Sequence, residues 1–217
     1  MKRTDPMKKI LEFGGVAAGI ILVAFGVAAI VLGIQGKNTV VTSLKEQQIV
    51  GTADMTPAAI KSEAAQAGLP KSIVLPTCDV AGLTINNGTR ARCFADYMRI
   101  HAYESTGGVP YAKLPRYESP DGKGTNDLAK AVMKDGRPVD NTARAVWIDE
   151  TALSTALNVS YMAQQLGNFG IVVGVALLLS GFGFVILAVG GALRAGGWLF
   201  ARNAAKTTAK TTTPVSA

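Results

Sequence analysis

Two apolar runs constrain this chain more than anything else in it: Phe13 to Ile34, "FGGVAAGIILVAFGVAAIVLGI", and Phe169 to Leu193, "FGIVVGVALLLSGFGFVILAVGGAL". The first has 22 residues and no ionisable side chain; the second has 25, with Ser180 as its only polar group. As helices they extend roughly 33 and 37 Å, against a hydrocarbon core of about 30 Å. Open strands are ruled out there, because lipid cannot satisfy unpaired backbone groups. The basic residues Lys2, Arg3, Lys8 and Lys9 resemble the start of a secretory signal. However, the apolar run is longer than a signal's, and "LGIQGKN" offers no small-x-small cleavage site, so an uncleaved span is expected.

The formal charge of +7 is unevenly placed. Four basic and two acidic residues precede the first run, and Arg194, Arg202, Lys206 and Lys210 follow the second with no acidic residue among them. The segment between is almost neutral. An excess of Lys and Arg marks the cytoplasmic side, so both termini are expected in the cytoplasm and residues 35–168 outside. Charge distributed in this way supports membrane lipid as a partner and not nucleic acid. Cys78 and Cys93 both lie in the external segment, where an oxidising compartment favours a disulfide. Their spacing matches no metal or redox motif.

Small residues recur in steps of four and three. Gly15, Gly19, Gly26, Gly33 and Gly36 mark the first run; Gly167, Gly170, Gly174, Gly181 and Ala188 mark the second. Upstream, the second seam continues through Leu153, Ala156, Ser160 and Ala163. Such spacing lets helix backbones approach closely in lipid, with the left-handed sense of a 3.5-residue period. A close antiparallel pair within one chain is expected, and a symmetric dimer through the same faces is the alternative.

The expected fold is mainly α. Two transmembrane helices form the pair and extend into a stalk, and a small disulfide-stapled extracytoplasmic helical head lies between them. The expected segments are a cytoplasmic basic N-terminus (1–12), a first span (13–34), stalk and head (35–168), a second span (169–193) and a basic, disordered tail (194–217). The first helix is expected to run towards Gly51, with Gly36 and Asn38 as points of interruption. The second is expected to start from Asp149 or Thr151.

Within the head, "MTPAAIKSEAAQAGLP" carries helix grammar, with Thr56 as N-cap, Pro57 in the first turn and Gly68 as the stop. Asn87-Gly88 suggests a hairpin or tight turn, followed by a helix from Phe94 to Ser105 ended by Gly107. "TNDLAKAVMKDG" reads as a short helix from Thr125 or Asn126. "GGVPYAKLPRYESPDGKG" reads as an exposed loop that offers Tyr111, Arg116 and Tyr117 as an interaction surface.

Chemistry is sparse. The one histidine, His101, shares a helical face with Tyr97 and Glu104, so acid–base work by His101 and Glu104 is the candidate catalytic reading. A facial iron site wants two histidines and a carboxylate, and a catalytic zinc site usually wants several imidazoles or thiolates, so no metal or cofactor is expected. Walker, G-x-S-x-G and dinucleotide motifs are missing from the chain. Uncharged spans argue against a carrier, and two helices cannot enclose a path without oligomerising.

The pieces "CFADYMRIHAYESTGG", "RAVWIDETALSTALNVSYMAQQLGNFG" and "IVVGVALLLSGFGFVILAVGGALR" resemble uncharacterised bacterial two-span envelope proteins, many of which bear the automatic label aromatic ring-opening dioxygenase. The resemblance covers the last two thirds of the chain. It implies a two-span envelope protein, and no catalytic residue is carried over from the label. The leading expectation is therefore a non-enzymatic interaction or scaffold protein whose head contacts an envelope protein partner. An envelope enzyme using His101 and Glu104 is one alternative; an oligomeric channel or transporter accessory subunit is the other.

Overall fold

The computed structural model describes residues 6–190, with side chains from residue 9 onward. The expectations for the N-terminal tip and for the tail 194–217 lie outside the described residues. Four helices order the fold: α1 (Pro6–Glu46), α2 (Pro57–Gln66), α3 (Gly88–Ser105) and α4 (Thr142–Val189). A two-stranded hairpin, β1 (Met133–Lys134) and β2 (Arg137–Pro138), lies between α3 and α4. Among the described residues, α1 and α4 are the two helices long and apolar enough to cross a membrane. They contribute to both compact units of the chain, 6–35 with 167–190 and Gly36–Leu166.

In the first unit the expected antiparallel pair is present. Gly19, Gly26 and Gly33 of α1 are buried at seven-residue intervals, as are Gly167, Gly174 and Gly181 of α4. A Cβ on Gly26 would sit 2.8 Å from the Gly174 carbonyl oxygen, and one on Gly174 would sit 2.7 Å from that of Gly26. The Gly19–Gly181 pair repeats this at 2.7 Å in both directions, and a Cβ on Gly33 would lie 2.6 Å from the Gly167 oxygen. Two of the three contacts are reciprocal and all three reach a backbone carbonyl, so glycine is required sterically at one position per heptad of α1. The intervening positions are looser than the sequence pattern suggests. Gly15 is half-buried, Gly170 makes only ordinary contact with Ala29 and Gly33, and Gly36 faces open space. Upstream in α4 the buried position is Leu157 and not Ala156, which is exposed. A rigid heptad reading does not anticipate this change of phase.

In the second unit α1 continues without interruption through Gly36 and Asn38, and ends at Glu46, short of Gly51. α2 matches its sequence grammar. The Thr56 hydroxyl accepts from the Ala59 amide, and Gly68 (φ +65°) ends the helix with Leu69 N–H returning to the Ala64 carbonyl. α3 ends in the same manner. Gly107 takes a φ of +62°, Gly108 N–H reaches the Tyr103 carbonyl at 2.7 Å and Gly107 N–H reaches that of Glu104 at 3.3 Å.

Three further boundaries differ from expectation. Asn87-Gly88 is not a hairpin: Asn87 Oδ1 accepts from the Arg90 amide and caps α3, which begins six residues before Phe94. Gly88 is needed there because a Cβ would meet Tyr161 Cα at 2.7 Å, and its amide donates to Gln164 Oε1. α4 begins at Thr142, well before Asp149 and Thr151. It is capped by Asn141 Oδ1 on the Ala143 amide and by Glu118 Oε1 on the Thr142 amide. The short helix read in "TNDLAKAVMKDG" is a 3₁₀ turn at Leu128–Lys130, capped by Asp127, followed by the β1–β2 hairpin. Asp135 and Gly136 form its turn with φ of 51° and 74°, the two positive values that a primed hairpin turn requires.

The head core gathers Met55, Ile60, Val80, Ile85, Phe94, Tyr97 and Ile100 against Val40, Leu44 and Leu157. α3 runs antiparallel to α4, held at one end by Gly88 and Gln164 and at the other by Trp147. The Trp147 ring stacks edge-on to Tyr103 at 4.8 Å, and its Nε1 donates to the Val109 carbonyl. Cys78 and Cys93 form the expected disulfide, with a Cα–Cα distance of 6.1 Å. Replacing the α3 cap, Asn87→Ala, is expected to lower head stability by about 1 kcal/mol, and Asn87→Gly by only a few tenths. Thermal unfolding followed by circular dichroism checks both values. Equal losses for the two variants would contradict a side-chain capping role.

Candidate functional site

The face of α3 singled out by its sequence divides into a structural part and a polar part. Tyr97 is wholly buried and donates its hydroxyl to the Cys78 carbonyl at 2.6 Å, which ties α3 to the irregular segment at the disulfide. Burial pushes the Tyr97 phenol above its usual pKa, with the charges of Asp79 and Asp54 adding to the effect. Tyr97 therefore joins the core to the Cys78 segment.

His101 and Glu104 are half-buried, one turn apart, and they do not hydrogen-bond to each other. The group closest to His101 is Asp54, whose Oδ2 lies 2.9 Å from Nε2. Nε2 is inaccessible to solvent and meets this carboxylate as an ion-pair partner. Glu104 Oε1 is likewise inaccessible, and it has no hydrogen-bond partner. Glu63 completes the group: one ligand-type atom each from Asp54, Glu63 and His101 lie within 4.8 Å of one another.

The electrostatics follow from this crowding. A hydrogen bond from the Thr52 side chain holds the Asp54 carboxyl below its usual value; its backbone and His101 lower it further, against the opposing effect of burial. Glu104 moves the other way. Burial raises its pKa, and Glu63 and Asp54 reinforce the rise while His101 opposes it. Three carboxylates thus share a small region with one imidazole. The head's ion pairs from arginine and lysine, Arg99–Asp96 and Lys130–Asp127, lie outside it.

Asp54 and Glu63 were missed in the sequence because they are local to neither His101 nor each other. Asp54 sits two residues before the α2 cap, and Glu63 lies beside the buried Ile60–Ala64 stripe of α2. That position, on the inner edge of an amphipathic helix, was the available signal. His101 also borders a groove of about 270 Å³ between α3 and α4, where Met98, Val146 and Leu153 meet the buried Glu150. Glu150 accepts from the Ser154 hydroxyl at 2.6 Å and from the Thr151 hydroxyl at 3.3 Å, so each carboxyl oxygen has a local donor.

Tyr111, Arg116 and Tyr117 occupy a lobe that is more ordered than an exposed loop. Tyr111 lies under the Arg144 guanidinium, 4.0 Å from ring centroid to carbon, and its hydroxyl accepts from Arg144. Tyr117 is half-buried, with its backbone paired to Thr125 and bridged to Asp140. Arg116 is exposed, and its amide and carbonyl are tied to Asn126 and Asn141. Comparison with protein-family models, with curated proteins and with solved structures found no match to the chain.

Proposed function

We propose that this chain is a two-span membrane protein of the cell envelope that presents its disulfide-closed head outside the cytoplasm and acts by contact with an envelope protein partner. The carrying observation is the surface of the glycine-paired unit. Phe13, Phe25, Leu32, Phe169, Leu179 and Val189 point outward, Phe13 at 79% exposure, although the pair already satisfies its own backbone. Lipid covers such a surface, and water does not. The tight seam is used within the chain, which weighs against a channel assembled through the same faces. Contact falls to the Tyr111–Arg116–Tyr117 lobe, where an aromatic ring and a cation are presented on a pinned backbone.

Native mass spectrometry of the protein, gently extracted from its own membrane, tests this reading. A stoichiometric protein partner is expected, and it should be lost in Arg116→Ala with the head disulfide still formed. Recovery of the protein alone, or a partner retained in full by that variant, would overturn it. The competing reading, an enzyme using His101 and Glu104, draws on the close approach of Asp54 to the imidazole. It requires turnover that disappears in Glu104→Gln without loss of a partner.

A further inference from the structure

The Asp54–Glu63–His101 cluster brings together three separate chain positions: the turn before α2, the inner edge of α2 and the C-terminal part of α3. An ion pair alone accounts for it poorly. A His–Asp pair explains neither the second carboxylate, from Glu63, nor the solvent-inaccessible, unpartnered Oε1 of Glu104 beside it. Burying polar atoms without partners costs stability, and carboxylates crowded together repel unless a cation lies between them. Lysine and arginine do not supply that cation, since their ion pairs in the head involve Asp96 and Asp127.

The donor set narrows the choice of ion. One imidazole nitrogen and two carboxylate oxygens suit a divalent first-row ion bound at about 2.0–2.2 Å, with a further position open. Calcium wants six to eight oxygens, and magnesium an octahedron of oxygens and water. Ligands around a tetrahedral ion lie about 3.4 Å apart by these bond lengths. The present spread of up to 4.8 Å must therefore tighten on binding, by side-chain rotation on the turn before α2, on α2 and on α3.

We propose that Asp54, Glu63 and His101 bind a divalent transition cation of the zinc class, with Glu104 alongside as a further carboxylate. The ion joins α2 and the turn before it to α3, next to the region that the Cys78–Cys93 disulfide closes from the other side of α3's sequence. It acts as a second cross-link in a small head and does not depend on any partner of the Tyr111 lobe.

The test uses untagged full-length protein in detergent, stripped with a chelator, dialysed and titrated calorimetrically with ZnCl2 alone, with CaCl2 in parallel. The expected result is one zinc per chain with micromolar affinity, tighter than calcium, and a higher melting temperature. His101→Gln and Glu63→Gln should each weaken zinc by about 100-fold or more, since even residues that only orient ligands cost 10–100-fold. Asp121→Asn, on an exposed loop, should leave affinity unchanged. X-ray absorption of the zinc-loaded wild type gives a result that needs no variant. The chain has one histidine, so an imidazole signature with oxygen and no sulfur identifies the site directly. The proposal is overturned by no binding up to about 1 mM zinc, by affinity undiminished in both ligand variants, by calcium binding more tightly than zinc, or by a sulfur shell.

Discussion

Gly174→Leu is expected to separate the two long apolar helices and to lower the stability of the full-length protein in detergent by about 3 kcal/mol, the upper part of the usual overpacking cost. The leucine Cβ alone would lie 2.6 Å from Ile30 Cγ1 and 2.7 Å from the Gly26 carbonyl oxygen. The second contact is backbone, so rotamer changes cannot relieve it. Gly26→Leu and Gly181→Leu should behave alike, because each faces a carbonyl across the pair at 2.7–2.8 Å. Leucine at Gly14 or Gly183, where a Cβ meets nothing within 4 Å, should be close to neutral. Thermal inactivation read by size-exclusion chromatography separates the two groups. Equal effects at seam and non-seam glycines would refute the pairing, because general helix propensity would then explain both.

Opening the disulfide is the other large perturbation expected. Cys78 and Cys93 are separated by 15 residues. Closing a loop of that size restricts the unfolded chain by about 3 kcal/mol in the loop-entropy account. For a unit the size of the head this corresponds to a fall in melting temperature of roughly 10 °C. The double variant Cys78→Ala/Cys93→Ala should show this loss, and a reductant should reproduce it in the wild type. Tyr97 adds to the effect, since its hydroxyl anchors the Cys78 carbonyl in the same corner. If the variant melted within about 2 °C of wild type, the head core would be self-sufficient and the cross-link redundant.

The two perturbations fall on different units. Loss of the seam should leave the head disulfide and core intact, and loss of the disulfide should leave the glycine pair intact. If either change unfolded both units together, the two would form a single cooperative block, and melting followed separately by tryptophan emission and near-ultraviolet dichroism distinguishes these cases.

Much of this architecture follows from local rules. Two uninterrupted apolar runs must be helices in lipid, and glycines seven residues apart must come close if those helices pair. The α2 and α3 stops are legible for a similar reason: Gly68 and Gly107 supply the left-handed conformation that a helix terminus needs, whatever surrounds it. The Cys78–Cys93 pairing follows from there being only two cysteines in the chain.

What the local rules leave open is settled by contacts between distant segments. Asn-Gly and Asp-Gly carry the same turn chemistry, yet Asn87-Gly88 starts a helix while Asp135-Gly136 makes the hairpin. The difference lies in Tyr161 and Gln164, more than seventy residues away, which receive Gly88 as the first turn of α3. The N-terminus of α4 is likewise decided by Glu118 and Asn141, from a lobe that reads in sequence as loop. The polar cluster is the clearest case. His101 stands alone in the sequence, and only the packing of α2 on α3 brings Asp54 and Glu63 to its ring, because side-chain chemistry at a site depends on distance in space and not along the chain.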